Sequence, residues 1–249
     1  YVFCPTTEAD VGKEVRIELK TNTAKYSGVV NEVYCGDKAE IWEYIFAEHG
    51  LETVIAFFIL FAGIVTVIFS IALGVVYRTK FDMEYLGWCM IMAAGWMVGE
   101  SKLRQVLVPN ATVLATLCFV MIMLGPLPII YYIDSMQSGR HQKLFWIAEA
   151  AAIVNFAVCT ILHLSGAKDY IETLPIAHVI LAVTLVLILG TVFYDMYHGY
   201  ITQNRFMVVG LLIAVVSVVV ESISAYFVIS ISGIFMGIGM IVLLFFSLV

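Results

Sequence analysis

Apolar residues run in long blocks from residue 52 onward, and short polar patches separate them. A bilayer crossing requires about 20 mostly apolar residues. Seven blocks meet that length: 52–77, 85–103, 111–137, 144–164, 173–198, 206–229 and 232–249. The pattern ahead of them is different. Glu14-Val15-Arg16-Ile17-Glu18-Leu19-Lys20 alternates with period 2, as a half-buried strand does. Asn31-Glu32-Val33-Tyr34 reads as a second strand, with Lys25-Tyr26-Ser27-Gly28 as the turn. From Asp37 to His49 the apolar residues Ile41, Trp42, Ile45 and Phe46 recur at helical spacing. Trp42 and Tyr44 suit a headgroup layer. The expected organisation is a β segment over 1–36, an interfacial helix over 37–50 and a membrane bundle over 51–249.

Composition agrees. Of 249 residues, 62% are hydrophobic and 13% charged, against roughly 45–50% and 25% in soluble domains. Mean hydropathy is +0.98. An ordinary soluble enzyme and a disordered chain are thereby excluded. A net charge of −6 leaves no basic footprint for nucleic acid. Residues 1–52 hold ten acidic and five basic side chains, so the polar part is acidic. Arg78, Lys80, Arg140, Lys143 and Arg205 lie on one set of loops and Lys102, Arg104 and Lys168 on the other. The richer set is expected to face the cytoplasm, with the N-terminus outside and the C-terminus inside the cell membrane. The chain opens without Met or a signal peptide, which points to a cut or processed beginning.

Polar groups inside apolar spans are costly and so informative. Glu100 and Arg104 are four residues apart, the spacing of an intrahelical ion pair or of two groups lining an outward-facing pocket. His163, His178 and Glu221 fall at a similar outer depth, and the set could bind a polar ligand or serve as interhelical hydrogen bonds. No ligand-spaced motif calls for a metal or another cofactor, and no nucleophile constellation marks a catalytic site. Asp134 and Asp195 are expected as hydrated charges at inner ends. Gly125-Pro126-Leu127-Pro128 interrupts the third span, and Pro126 and Pro128 make it a fixed bend or a hinge. Gly233 and Gly237, with Gly239 nearby, offer a small-residue face for dimerisation or for close packing within one bundle. Cys4 and Cys35 are candidates for a disulfide in the exported part, two free thiols being the alternative. Cys89, Cys118 and Cys159 read as apolar filler.

Seven spans suggest a retinal protein, but its Schiff base needs a lysine in the last span. The last lysine here is Lys168, ahead of the fifth span. A transporter would show inverted repeats, and none is visible. Several stretches resemble a known family. They are Gly12-Lys13-Glu14-Val15-Arg16-Ile17, the segment Gly36-Asp37-Lys38 to Tyr44-Ile45, and Gly95-Trp96-Met97-Val98-Gly99-Glu100-Ser101. Leu127-Pro128-Ile129 and Leu174-Pro175-Ile176-Ala177-His178 complete the set. In order and spacing they resemble the membrane module of bacterial seven-transmembrane receptors with diverse intracellular signalling modules. The closest branch is that of receptor diguanylate cyclases with a GGDEF domain. The resemblance implies an all-α seven-transmembrane helix bundle following the end of an extracellular jelly-roll sandwich. It also implies a signal-transducing receptor with a small extracellular ligand, a homodimer, and a cytoplasmic output that makes cyclic di-GMP. The jelly roll is truncated and no GGDEF motif is present, so catalysis falls to no residue of this chain. Besides lipid, the expected partners are that ligand and a second copy. The alternative reading is a small-solute transporter or channel.

Overall fold

The computed structural model describes residues 4–14, 16–18, 33–79, 81–104, 108, 110–201, 205–227 and 233–248. The chain forms two compact units, Tyr1–Tyr44 and Ile45–Val249. In the first, the described residues form no strand; a short 3-10 turn, Glu8–Asp10, stands near the start. The β segment expected over 1–36 is therefore not found at 4–14, 16–18 or 33–36, and the rest of that expectation falls outside the described residues. Thr7 and Lys13 both donate to the Asp10 carboxylate. The Lys13 bond, followed by those from Thr7, holds that exposed carboxyl below its ordinary range.

Helices make up the rest: α1 (Lys38–Tyr77), α2 (Met83–Glu100), α3 (Ala111–Leu124), α4 (Pro126–Met136), α5 (Gln142–Leu164), α6 (Tyr170–Tyr197), α7 (Arg205–Phe227) and α8 (Ile234–Leu248). A helix satisfies its own backbone polar groups, which is what apolar surroundings demand. Among the described residues, five helical stretches are long and apolar enough to cross a membrane: α1, Thr112–Met136 across α3 and α4, α5, α6, and Phe206–Ser224 in α7. The remaining two fall short of that standard. α2 has 18 residues with Glu84 in its first turn and Glu100 at its end, and α8 has 15. The interfacial segment at 37–50 and the first span are one unbroken helix of 40 residues, about twice what a crossing needs.

The outer surface supports a membrane environment. Phe58, Phe61, Ile68 and Phe69 on α1, and Trp146, Ile147, Val154 and Ile161 on α5, are all exposed. Soluble proteins rarely leave such continuous apolar faces open to water. The core lies between α2, α4, α6, α7 and α8, where Met90, Ile130, Ile188, Leu211 and Leu243 are fully buried.

Small residues let the helices approach. A Cβ on Gly87 would sit 2.7 Å from Val67 Cγ2 and 3.0 Å from the Gly63 carbonyl, so α1 and α2 cross with backbone near backbone. The glycines of the last helix are used inside the bundle. Gly237 faces Ile55 and Ile59 of α1, and Gly239 faces Ser217 and Ala214 of α7. At the same end of α1, Thr53 Oγ1 and Ser101 Oγ lie 2.8 Å apart, both buried, and Ser101 Oγ accepts the Leu103 amide at 3.1 Å.

Asn110 starts α3 by accepting the amides of Thr112 and Val113 at 3.1 and 3.2 Å, a standard N-cap. Gly125 separates α3 from α4 while keeping right-handed helical angles, φ −52° and ψ −34°. Its amide still reaches the Met121 carbonyl at 2.8 Å. Pro126 takes the first position of α4, where a missing N–H costs little. The span is thus interrupted at the place the two prolines predicted.

Candidate functional site: an internal cavity bounded by two ionisable residues

A cavity of about 110 Å³ lies inside the second unit, walled by α2, α3, α4, α6, α7 and α8. An apolar void of roughly 150 Å³ takes up one benzene-sized molecule, so this one is of ring size. Its wall is chiefly methionine, leucine, valine and alanine. Trp96 comes from α2, Met121 from α3, Leu181 from α6, and Met236 and Met240 from α8. Gly125, at the interruption between α3 and α4, is part of the wall, as is Ile129 one turn later. Two ionisable side chains capable of charge, His178 and Glu221, border the apolar space, with Ser222 beside Glu221.

Glu221 is 3% exposed. One carboxylate oxygen, Oε1, accepts the backbone amide of Gly233, immediately before α8. The Phe235 and Met236 amides lie close enough to attract the same group. The arrangement is a carboxyl group held at a helix N-terminus, where free backbone amides are available to an acceptor. The other oxygen, Oε2, is buried and has no hydrogen-bond partner among the described residues. Glu221 lies within electrostatic reach of Glu100 and Glu52. Lys102 is the cation that faces Glu52. His178 is half-buried, with its ring against the Leu174 backbone one turn earlier.

The other residues singled out from the sequence lie elsewhere. α2 ends at Glu100, where Ser101 takes φ −55° and ψ 137°, so Glu100 and Arg104 do not share a helix face and the expected intrahelical pair does not form. Arg104 instead donates to the Gly99 carbonyl at 3.0 Å, and Glu100 accepts from Cys118 Sγ at 3.4 Å. His163 stacks on Tyr170 with centroids 4.2 Å apart, and its Nδ1 lies 3.6 Å from Asp169. Tyr170 stacks in turn on Phe119. Of the predicted outer group, the structure brings His178 and Glu221 to the cavity and leaves Glu100, Arg104 and His163 off its wall. Pro126 and Pro128 are buried directly after Gly125. Cys4 and Cys35 are free and exposed.

One cluster went unread. Asp195, expected as a hydrated charge, is fully buried at 0% exposure. Arg140 Nη1 and His141 Nε2 each stand 3.0 Å from its carboxylate. The Arg140 guanidinium also lies 3.9 Å from the centroid of the Tyr200 ring. Gly199, at φ +73°, makes the turn that puts Tyr200 there, and the Tyr200 amide closes back on the Asp195 carbonyl at 2.8 Å. The available signal was Arg140-His141 as adjacent basic residues in one loop and Asp195 in the last turn of a span.

Tyr132 of α4 donates to Ser247 Oγ of α8 at 2.8 Å. α8 is therefore fastened at its start by Glu221 and near its end by Tyr132. Among the described residues no group of histidine, cysteine and carboxylate side chains is arranged to hold a metal ion. No known protein family, no curated protein and no solved structure matches the chain.

Proposed function

We propose that this membrane-embedded helical protein is a receptor module, a seven-span bundle that converts occupancy of its internal cavity into a displacement of α8. One observation carries this reading. The cavity wall includes both the α3–α4 interruption, through Gly125 and Ile129, and the inner face of α8, through Met236, Met240 and Leu243. The Tyr132–Ser247 and Glu221–Gly233 bonds tie α8 to α4 and to α7. A molecule entering the cavity would press on the break in α3–α4 and on α8 together. Such a switch requires two packings that bind the signal unequally. In the proposed topology α8 ends at the cytoplasmic face, where an output domain of the kind implied by the resemblance, a diguanylate cyclase in a homodimer, would receive the motion.

The test is hydrogen exchange in lipid nanodiscs on the wild type and on Ala93→Phe, which fills the cavity from α2. Altered protection along α8 is expected. Change confined to α2 would refute the relay. In a parallel assay, liposomes carrying the protein should remain tight to small solutes; flux would favour a transporter.

A further inference from the structure

The receptor reading leaves the chemistry of the signal open, and the cavity wall narrows it. A ring-sized space lined by methionine, leucine and valine selects an apolar body. One group on its wall has incomplete hydrogen bonding among the described residues. Glu221 is 3% exposed and its Oε1 accepts the Gly233 amide, while Oε2 has no partner among the described residues. A buried acceptor left unmade costs the full desolvation of that atom, and a donor arriving with a ligand recovers it. The acceptor character of Oε2 sets the preference: an N–H or ammonium donor completes its hydrogen bonding, whereas a carboxylate brings only further acceptors.

We infer that the cavity binds a small, one-ring apolar molecule carrying a single hydrogen-bond donor, an amine foremost, whose donor engages Glu221 Oε2 while its ring lies among Trp96, Leu181 and Met240. This inference rests on the receptor reading, because it names what fills the same cavity.

The experiment uses the full chain in nanodiscs and four fluorinated probes followed by ¹⁹F NMR: 4-fluorobenzylamine, 4-fluorobenzyl alcohol, 4-fluorotoluene and 4-fluorobenzoate. Empty nanodiscs correct for partition into lipid. The amine should bind about tenfold more tightly than the methyl compound, a difference of the size expected for one buried hydrogen bond, and benzoate should not bind. Glu221→Gln should lower that preference, and Ala93→Phe should remove protein-dependent binding of every probe. The wild-type ranking needs no variant to fold. If fluorotoluene binds as tightly as the amine, or benzoate binds, the donor inference is overturned while the cavity remains a ligand site. If no probe binds beyond the lipid background, the cavity itself is refuted as the receptor's binding site.

Discussion

The Glu221 carboxylate, on the seventh helix, accepts the backbone amide of Gly233, the residue that begins the eighth. A side chain that reads from sequence as a buried charge thus fixes how the last helix starts. At the other end of that helix Tyr132 holds Ser247. What the last helix can do is set by these two attachments and by the cavity between them.

Removing the acceptor should loosen the start of α8. Glu221→Ala leaves the Gly233 amide buried without a partner, a loss of about 1–3 kcal/mol for an unsatisfied buried donor. Glu221→Gln keeps a carbonyl that can accept and should cost less. Thermal unfolding in nanodiscs, followed by intrinsic fluorescence, should rank wild type above the glutamine variant and that above the alanine variant. Equal midpoints for all three would show that the bond has no role in holding α8.

The cluster around Asp195 makes an unequal prediction. Its carboxylate is fully buried, whereas the Arg140 and His141 side chains are 39% and 18% exposed. Asp195→Asn leaves a guanidinium and an imidazole that water can still reach. Arg140→Ala leaves a buried carboxylate with only His141 beside it, and an uncompensated buried charge is the costlier remnant. Arg140→Ala should therefore be the more destabilising, by about 1–2 kcal/mol after allowance for the exposure of the arginine. Midpoints in the opposite order would contradict the assignment of Arg140 as the main counter-charge.

The α1–α2 crossing leaves no room for added volume. Gly87→Val would drive its side chain into Val67 and the Gly63 carbonyl, already 2.7 and 3.0 Å from a bare Cβ. Overpacking of this kind costs about 1–3 kcal/mol. Gly190→Val, where a Cβ meets nothing within 4 Å, should stay near wild type apart from a small helix-propensity effect. Comparable losses at both positions would argue against a close crossing.

Thr53 and Ser101 join α1 to the end of α2. Their coupling, from a cycle of Thr53→Val, Ser101→Ala and the double variant, should be about 0.6–1.7 kcal/mol, the range for such bonds between membrane helices. Additive single effects would mean that the hydroxyls do not stabilise each other.

Much of the fold is legible because the membrane pattern is local. Each apolar block reports its own helix, and Gly125-Pro126 reports its own interruption. The site is less legible because it depends on partners far along the chain. The spacing of Glu100 and Arg104 predicts a pair only while the helix continues, and α2 stops at Glu100. Asp195 looks solvated from its position near a span end, yet Arg140, 55 positions earlier, folds over it. Glu221 and His178 were visible as costly groups, but nothing local says that one caps α8 or that both border one cavity. The period-2 run at Glu14–Lys20 differs in another way: Glu14 and residues 16–18, the part of it described, form no strand, and alternation signals a strand only where a sheet can form.

The most direct test of the relay is a distance across the end of the bundle opposite the Glu221–Gly233 bond. Tyr197 on α6 and Phe245 on α8 are 89% and 63% exposed, so spin labels on cysteines there should leave packing intact, with the five native cysteines replaced. Double electron–electron resonance in nanodiscs would compare this pair in the cysteine-replaced background without and with Ala93→Phe filling the cavity, the background first being shown to keep the wild-type unfolding midpoint. A shift of the mean distance by about 1–2 Å, the scale of helix displacements in switching proteins, is the predicted result. Superimposable distance distributions would contradict it.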